Sequence, residues 1–287
     1  MSTSGVSTSD KAHCENCDHA LSPDNQYCPQ CGQQVLGPEA RHFSTLIRNS
    51  FVEVTSINGR LLPTVIALLF SPGKLTRAHI DGQRKRYLSP VGIFLLTNLL
   101  FFLAPSLSDF NVSLLDQATL QPYSETIKPW IDATAEKNGT DFATLRSAYD
   151  LKVRDIAKTM VIIHVPIIAL FSFLLGYDRR YLYADHVVMA VHFFAFVMIF
   201  LALAPFLAKL VIAFVTLFSP ETGQEMGNGI NILYILVVYI AFMISKAFQW
   251  RWYRSAAITL VFLLGLAVSH SIFRMVQFAV VFPFVAF

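Results

Sequence analysis

Charged residues are scarce in this chain, 14% of 287, where an average soluble domain carries about 25%. That shortage excludes an ordinary water-facing surface. Cysteine is rarer still, four residues confined to positions 14–31, so any thiol chemistry is limited to that segment. The amino end, MSTSGVSTSDKAHC, lacks an apolar h-region, and neither a cleavable signal peptide nor a transit peptide is expected. There is no Gly-rich phosphate loop, nucleophile elbow or HExxH, which removes support for nucleotide hydrolysis, serine hydrolysis and zinc proteolysis. The HxxxH and HxxHH clusters of diiron membrane enzymes are missing too; two histidines one turn apart would be needed to bite one ion. Between Cys14 and Val35 there is no Lys or Arg, hence no phosphate footprint, and no nucleic-acid partner is expected.

What fills the chain is apolar: 54% hydrophobic residues and a mean hydropathy of +0.52, arranged in runs of membrane-spanning length rather than in a 2.0 or 3.6 alternation. The bilayer is the expected solvent. The expected fold is an all-α integral membrane protein of about five transmembrane helices, at about 20 residues per crossing, with runs at 87–105, 157–176, 187–218, 230–248 and 256–287. The third and fifth exceed one crossing. Tilt, a kink at Pro205, a helical end outside the bilayer, or a hairpin in either would absorb the excess.

Orientation follows from Lys and Arg in short loops. The stretch before the first span is basic, Arg179 and Arg180 follow the second, and Lys246, Arg251 and Arg254 follow the fourth. Those loops are read as cytoplasmic. The loop with Glu221 and Glu225, and the acidic 106–156 segment, are read as external. This puts the amino end inside and the carboxyl end outside the membrane. The external segment reads as a small helical cap, with a helix started by Thr140 or Asp141 that runs on into the second span as one rod.

Behind a tail at 1–13, the cysteines stand as C14-E-N-C17 and C28-P-Q-C31-G32 with ten residues between the pairs. Two such knuckles complete the tetrahedral S4 shell that Zn2+ prefers, with Gly32 suited to positive φ and Pro29 stiffening the turn. The 14–36 segment is therefore expected to be a structural zinc ribbon with ligands Cys14, Cys17, Cys28 and Cys31, fit to dock a cytoplasmic protein partner. Two disulfides or a redox pair are the alternatives, and a reducing cytoplasm disfavours the disulfides. In the following 43–86 segment, Phe43, Leu46, Ile47, Phe51, Val54 and Ile57 recur at helical spacing, an amphipathic helix for the interface or for packing under the bundle. The run Leu61 to Phe70 is too short to span. Lys74, Arg77, Arg84, Lys85 and Arg86 form a basic cluster suited to anionic lipid head groups of the bilayer.

Taken together, the ribbon C14-E-N-C17…C28-P-Q-C31-G32, then S71-P-G-K74 through D81-G-Q-R84-K85-R86-Y87-L-S-P90, then Y183-A-D-H186 through H192-F-F, resemble a bacterial membrane family known only as a domain of unknown function. The resemblance implies the architecture and brings no activity with it.

Polar residues inside spans are costly and are functional candidates by default. They are Asn98, His164, Asp185, His186, His192 and His270, with Arg274 late in the last run. Asp185 and His192, seven apart, fall on nearly one helical face about 10 Å apart along the axis. Two tiers of protonatable groups would suit a proton or cation path. The competing reading is helix glue, with Asp185 no more than an ion-pair partner for Arg179 or Arg180. Transport of ions or small solutes, membrane sensing, an enzyme with an intramembrane histidine-bound metal, and a structural or assembly role all remain open at this point.

Overall fold

The computed structural model describes residues 13–35, 59–103, 111–157, 159–218 and 232–285. The amphipathic helix expected from Phe43 lies outside them. Among the described residues all regular structure is helical, and two isolated β-bridges in the ribbon, His13 with Ala20 and Tyr27 with Gln34, are the nearest approach to sheet.

Helix α1, Leu61–Phe70, buries Thr64, Ala67 and Leu68 and exposes Leu62, Ile66 and Phe70, a stripe repeating every four residues. Ser71-Pro72-Gly73 stops it and α2, Lys74–Ile80, returns. Thr64, with no exposed surface, accepts the Leu88 amide at 3.0 Å, which pins α1 to the start of α3, Pro90–Leu103. Proline as the first helical residue suits α3, since its missing N–H would be unpaired there anyway.

A cap of three helices follows. Ser113 caps α4, Leu114–Thr119, by accepting from the Asp116 amide. α5, Ser124–Asn138, ends at Gly139 in the left-handed region. Asp141 caps α6, Phe142–Ala157, by accepting the Thr144 amide at 2.9 Å. The continuous rod expected from α6 into the next apolar run is not formed: a 3-10 segment, Thr159–Ile163, intervenes before α7, His164–Leu175. Pro166 supplies the reason. Its ring would clash with the carbonyl four residues earlier in a continuous α-helix, and is tolerated in the first turn of a new one.

The two long runs are single helices, α8 at Tyr183–Phe218 and α10 at Trp252–Val281, so neither is a hairpin. Between them lies α9, Ile232–Phe248. With 36 residues α8 extends about 54 Å, more than the roughly 30 Å of a bilayer core. Residues Val187 to Ile199 are buried all round: α1, α2, α3 and α7 pack on the helix, and Tyr239 of α9 and Phe262 of α10 lie against Phe196 and Phe193. α10 packs on α7 and α9. Among the described residues α8 and α10 are the two helices long and apolar enough to cross a membrane, and α1, α3, α7 and α9 are shorter apolar helices.

Candidate metal centre and buried polar ties

The cysteine segment folds as two knuckles, the second repeating the first fourteen residues later. In each, the first cysteine amide donates to the carbonyl five residues on, Cys14 to His19 at 2.8 Å and Cys28 to Gln33 at 2.7 Å, and its own carbonyl accepts from the residue four on, Asp18 or Gly32. Those two residues take positive φ, 61° and 67°. Glycine adopts that angle freely and aspartate is among the few other residues that tolerate it, so the missing glycine of the first knuckle is replaced by Asp18.

The result brings all four Sγ atoms within 4.8 Å of one another, Cys14 to Cys31 at 3.7 Å and Cys17 to Cys28 at 3.6 Å. A tetrahedral zinc with bonds of about 2.3 Å needs sulfur edges of about 3.8 Å. A disulfide needs about 2.05 Å, so the geometry fits a shared cation and not a bridge. The thiols also divide charge unevenly. Burial works upward on Cys28, but the Cys31 and Gln30 amides and the neighbouring thiols pull it down to about 6. The His19 amide works downward on Cys17, but burial and the other three thiols push it up to about 12. Burial likewise raises Cys14. One thiolate forms readily and a second is resisted, which a divalent cation would relieve.

The ribbon is seated on its own chain. Gln33, nearly fully buried, donates from Nε2 to the Gly82 carbonyl at 2.8 Å and accepts the Arg84 amide at Oε1 at 3.0 Å. Gly82 has φ +79°, and a Cβ there would overlap the Glu15 carboxylate of the first knuckle. Both knuckles thus touch the loop between α2 and α3. Within the basic cluster, Arg77 pairs with Asp81 one turn on, its Nε donating at 2.8 Å. Arg84 is half-buried, Lys74, Lys85 and Arg86 are exposed, and Arg86 lies over the Tyr87 ring at 5.6 Å.

The polar residues singled out within the apolar runs are tied in different ways, some between helices and some within one. His192 Nδ1 is 2.9 Å from Thr76 Oγ1, which ties α8 to α2. His186 Nδ1 is 3.0 Å from Ser172 Oγ, which ties α8 to α7; its ring stacks on Phe248 at 4.6 Å, and its buried Nε2 has no hydrogen-bond partner among the described residues. Asp185 accepts the Leu182 amide at 2.9 Å, a carboxylate in the first turn of α8 reaching back to close the helix start. His164 Nδ1 is 3.1 Å from the Val161 carbonyl, and its ring lies 5.9 Å from His270. Asn98 donates to the Met198 sulfur at 3.8 Å. Asp185 and His192, seven apart on the one helix α8, make their described hydrogen bonds to different partners, Leu182 and Thr76.

Two constellations carry no sequence signal. Asp178, in the loop between α7 and α8, accepts from Trp250 Nε1 at 2.9 Å and from Arg254 at 3.4 Å. Arg180 adds 2.8 Å from Nη2; its acid is thus Asp178 rather than Asp185. Arg254 also covers the Trp250 ring at 4.3 Å, and Trp250 stacks on Phe248 at 4.7 Å, so Arg254, Trp250, Phe248 and His186 form one column. At the opposite end of α10, Gln117 donates to the Tyr149 hydroxyl at 3.4 Å and the Arg274 carbonyl at 3.2 Å. Tyr123 donates to Gln117 at 2.6 Å, and Arg274 donates to Gln121 at 3.2 Å. These bonds seat the cap on α10.

A family model described as a protein of unknown function (DUF3667) matches residues 58–102, the stretch holding α1, α2, the loop gripped by Gln33, and all but the last residue of α3. No curated protein and no solved structure matches the chain.

Proposed function

We propose that the chain is a five-span protein of a bacterial cytoplasmic membrane, amino end inside and carboxyl end outside, whose role is membrane sensing rather than solute passage. The observation that supports the membrane reading is the apolar girdle. The second half of α8 exposes Phe206 by 58%, Leu210 by 68%, Phe214 by 62% and Leu217 by 80%, and α3, α7, α9 and α10 expose Leu99, Leu174, Phe242 and Leu260 on their outer sides. A patch of that size has no place on a water-soluble monomer. In lipid it needs no cover. α3, α7 and α9 are the shorter crossings, α7 lengthened by the 3-10 segment before it, and the exposed Lys85 and Arg86 meet anionic head groups.

Sensing is favoured over passage because His192 and His186 are engaged in ties between packed helices and Asp185 in closing the start of α8, and because the ribbon grips the loop that leads into α3. The ribbon holds a structural zinc on Cys14, Cys17, Cys28 and Cys31, and supplies fold rather than catalysis, since four protein ligands close the shell. Passage of protons or cations is the second reading. His186 Nε2, buried with no partner among the described residues, and the close His164–His270 pair are the observations in its favour.

Two measurements test the main reading. Reporter fusions after Arg180 and Arg254 are expected to read cytoplasmic, and those after Gly229 and at the carboxyl end external; a cytoplasmic carboxyl end would overturn the five-span arrangement. Metal analysis of the purified protein is expected to find one zinc per chain, lost in Cys14→Ser or Cys31→Ser while the spans still insert.

A further inference from the structure

We infer that the ribbon is a metal-dependent clamp on the loop at residues 81–86, so that zinc occupancy at the four cysteines sets the order of the segment leading into α3. The inference rests on the ribbon holding zinc and adds what that metal controls.

The connection is short. Gln33 closes the second knuckle with its backbone carbonyl, which accepts the Cys28 amide at 2.7 Å. The same residue's side chain holds both sides of the loop, at the Gly82 carbonyl and the Arg84 amide. Between the metal ligand Cys28 and the loop backbone there is one residue. The first knuckle contributes independently through Glu15, whose carboxylate lies against Gly82 and would have to shift for any Cβ there. Such a site holds its shape only with the ligands gathered, because a small segment without a hydrophobic core takes its folding free energy from the metal. When the ligands part, the carbonyl that positions Gln33 moves with the knuckle and the Arg84 amide loses its acceptor. Beyond Arg84 come the exposed Lys85 and Arg86, then Tyr87 and Leu88, both buried, with the Leu88 amide fixed on Thr64. The clamp therefore acts on the stretch between two anchored points.

Linkage makes the coupling reciprocal: whatever factor zinc adds to loop docking, docking adds to zinc affinity. The experiment uses the full chain in lipid nanodiscs, with zinc content measured first, and follows amide hydrogen exchange across residues 82–88 before and after chelation. Expected is an acceleration of about tenfold at the Arg84 amide on metal removal, the loss of one hydrogen bond of ordinary strength, with α8 and α10 unchanged. Gln33→Ala keeps all four ligands. With zinc bound it is expected to show the same acceleration, a zinc affinity about tenfold lower, and no further change at the Arg84 amide on chelation. A protein that binds no zinc overturns the ribbon reading and the clamp together. Zinc bound at full stoichiometry with an Arg84 exchange rate indifferent to chelation overturns the clamp alone. That comparison needs no variant, so it decides the matter even if Gln33→Ala fails to fold.

Discussion

Asp178 gathers donors from three parts of the chain, Arg180 beside it, Trp250 after α9 and Arg254 in the first turn of α10. The Arg180 guanidinium, first among its partners, and the Trp250 indole hold its carboxyl well below the usual carboxylate range. A depressed carboxylate contributes stability that is present above its unfolded value, about 3.9, and is lost as pH falls through the folded one. Asp178→Asn is therefore expected to lower stability at pH 7 by about 1–2 kcal/mol. The gap from the parent should stay constant down to about pH 4 and close below it. Unfolding in detergent, followed through Trp250 fluorescence at several pH values, measures it; a gap that persists unchanged into strong acid would show that the charge contributes nothing. Sequence spacing drew attention to Arg179 and Arg180 as orientation marks, but Asp178, Trp250 and Arg254 are joined only by the fold, across separations of 72 and 76 residues. Gln33 escaped notice for the same reason, since an amide that bonds to backbone leaves no pattern in its neighbours.

Among the elements, α1 and α2 show how a run too short to cross a bilayer is still used. Thr64 donates to the Arg60 carbonyl at 2.6 Å while accepting the Leu88 amide, so the start of α3 hangs on one hydroxyl. Thr64→Val preserves shape and removes the acceptor, stranding a buried amide; a loss of about 1–3 kcal/mol is expected, and Thr64→Ser should restore most of it. Denaturant midpoints for the three proteins decide this, and equal midpoints would show that Leu88 finds another acceptor. The apolar runs disclosed where the helices lie, because hydropathy reports burial or lipid contact directly. They did not disclose that the rod from α6 breaks before α7, because the break depends on Pro166 finding a fresh first turn. The knuckle spacing disclosed the four-cysteine cluster, because CxxC pairs gather their thiols from two tight turns. It was silent on the seat the ribbon takes against residues 81–84, a contact with no periodic signature.

Across the whole molecule, the buried half of α8 carries Asp185, His186 and His192, and the other half carries the exposed phenylalanines and leucines. Asp185, His186 and His192 thus lie where protein surrounds the helix, while the other half holds the exposed Lys209 and Thr216 among its apolar residues. Such an arrangement serves either a tie between helices or a relay, and position alone does not choose. His192 separates them. As a tie to Thr76, His192→Leu loses an interhelical hydrogen bond worth about 1 kcal/mol and melts earlier, whereas His192→Gln keeps donor and acceptor capacity and melts close to the parent. As a relay, His192→Gln would abolish the change of charge on which conduction depends, with little effect on stability. In reconstituted vesicles the sensing reading expects proton and cation flux no higher than in protein-free vesicles for the parent and both variants, alongside the lowered melting temperature of His192→Leu. A parent flux above that background, lost in His192→Gln, would transfer the assignment to passage, with His186, its Nε2 unpartnered among the described residues, as the next position to substitute.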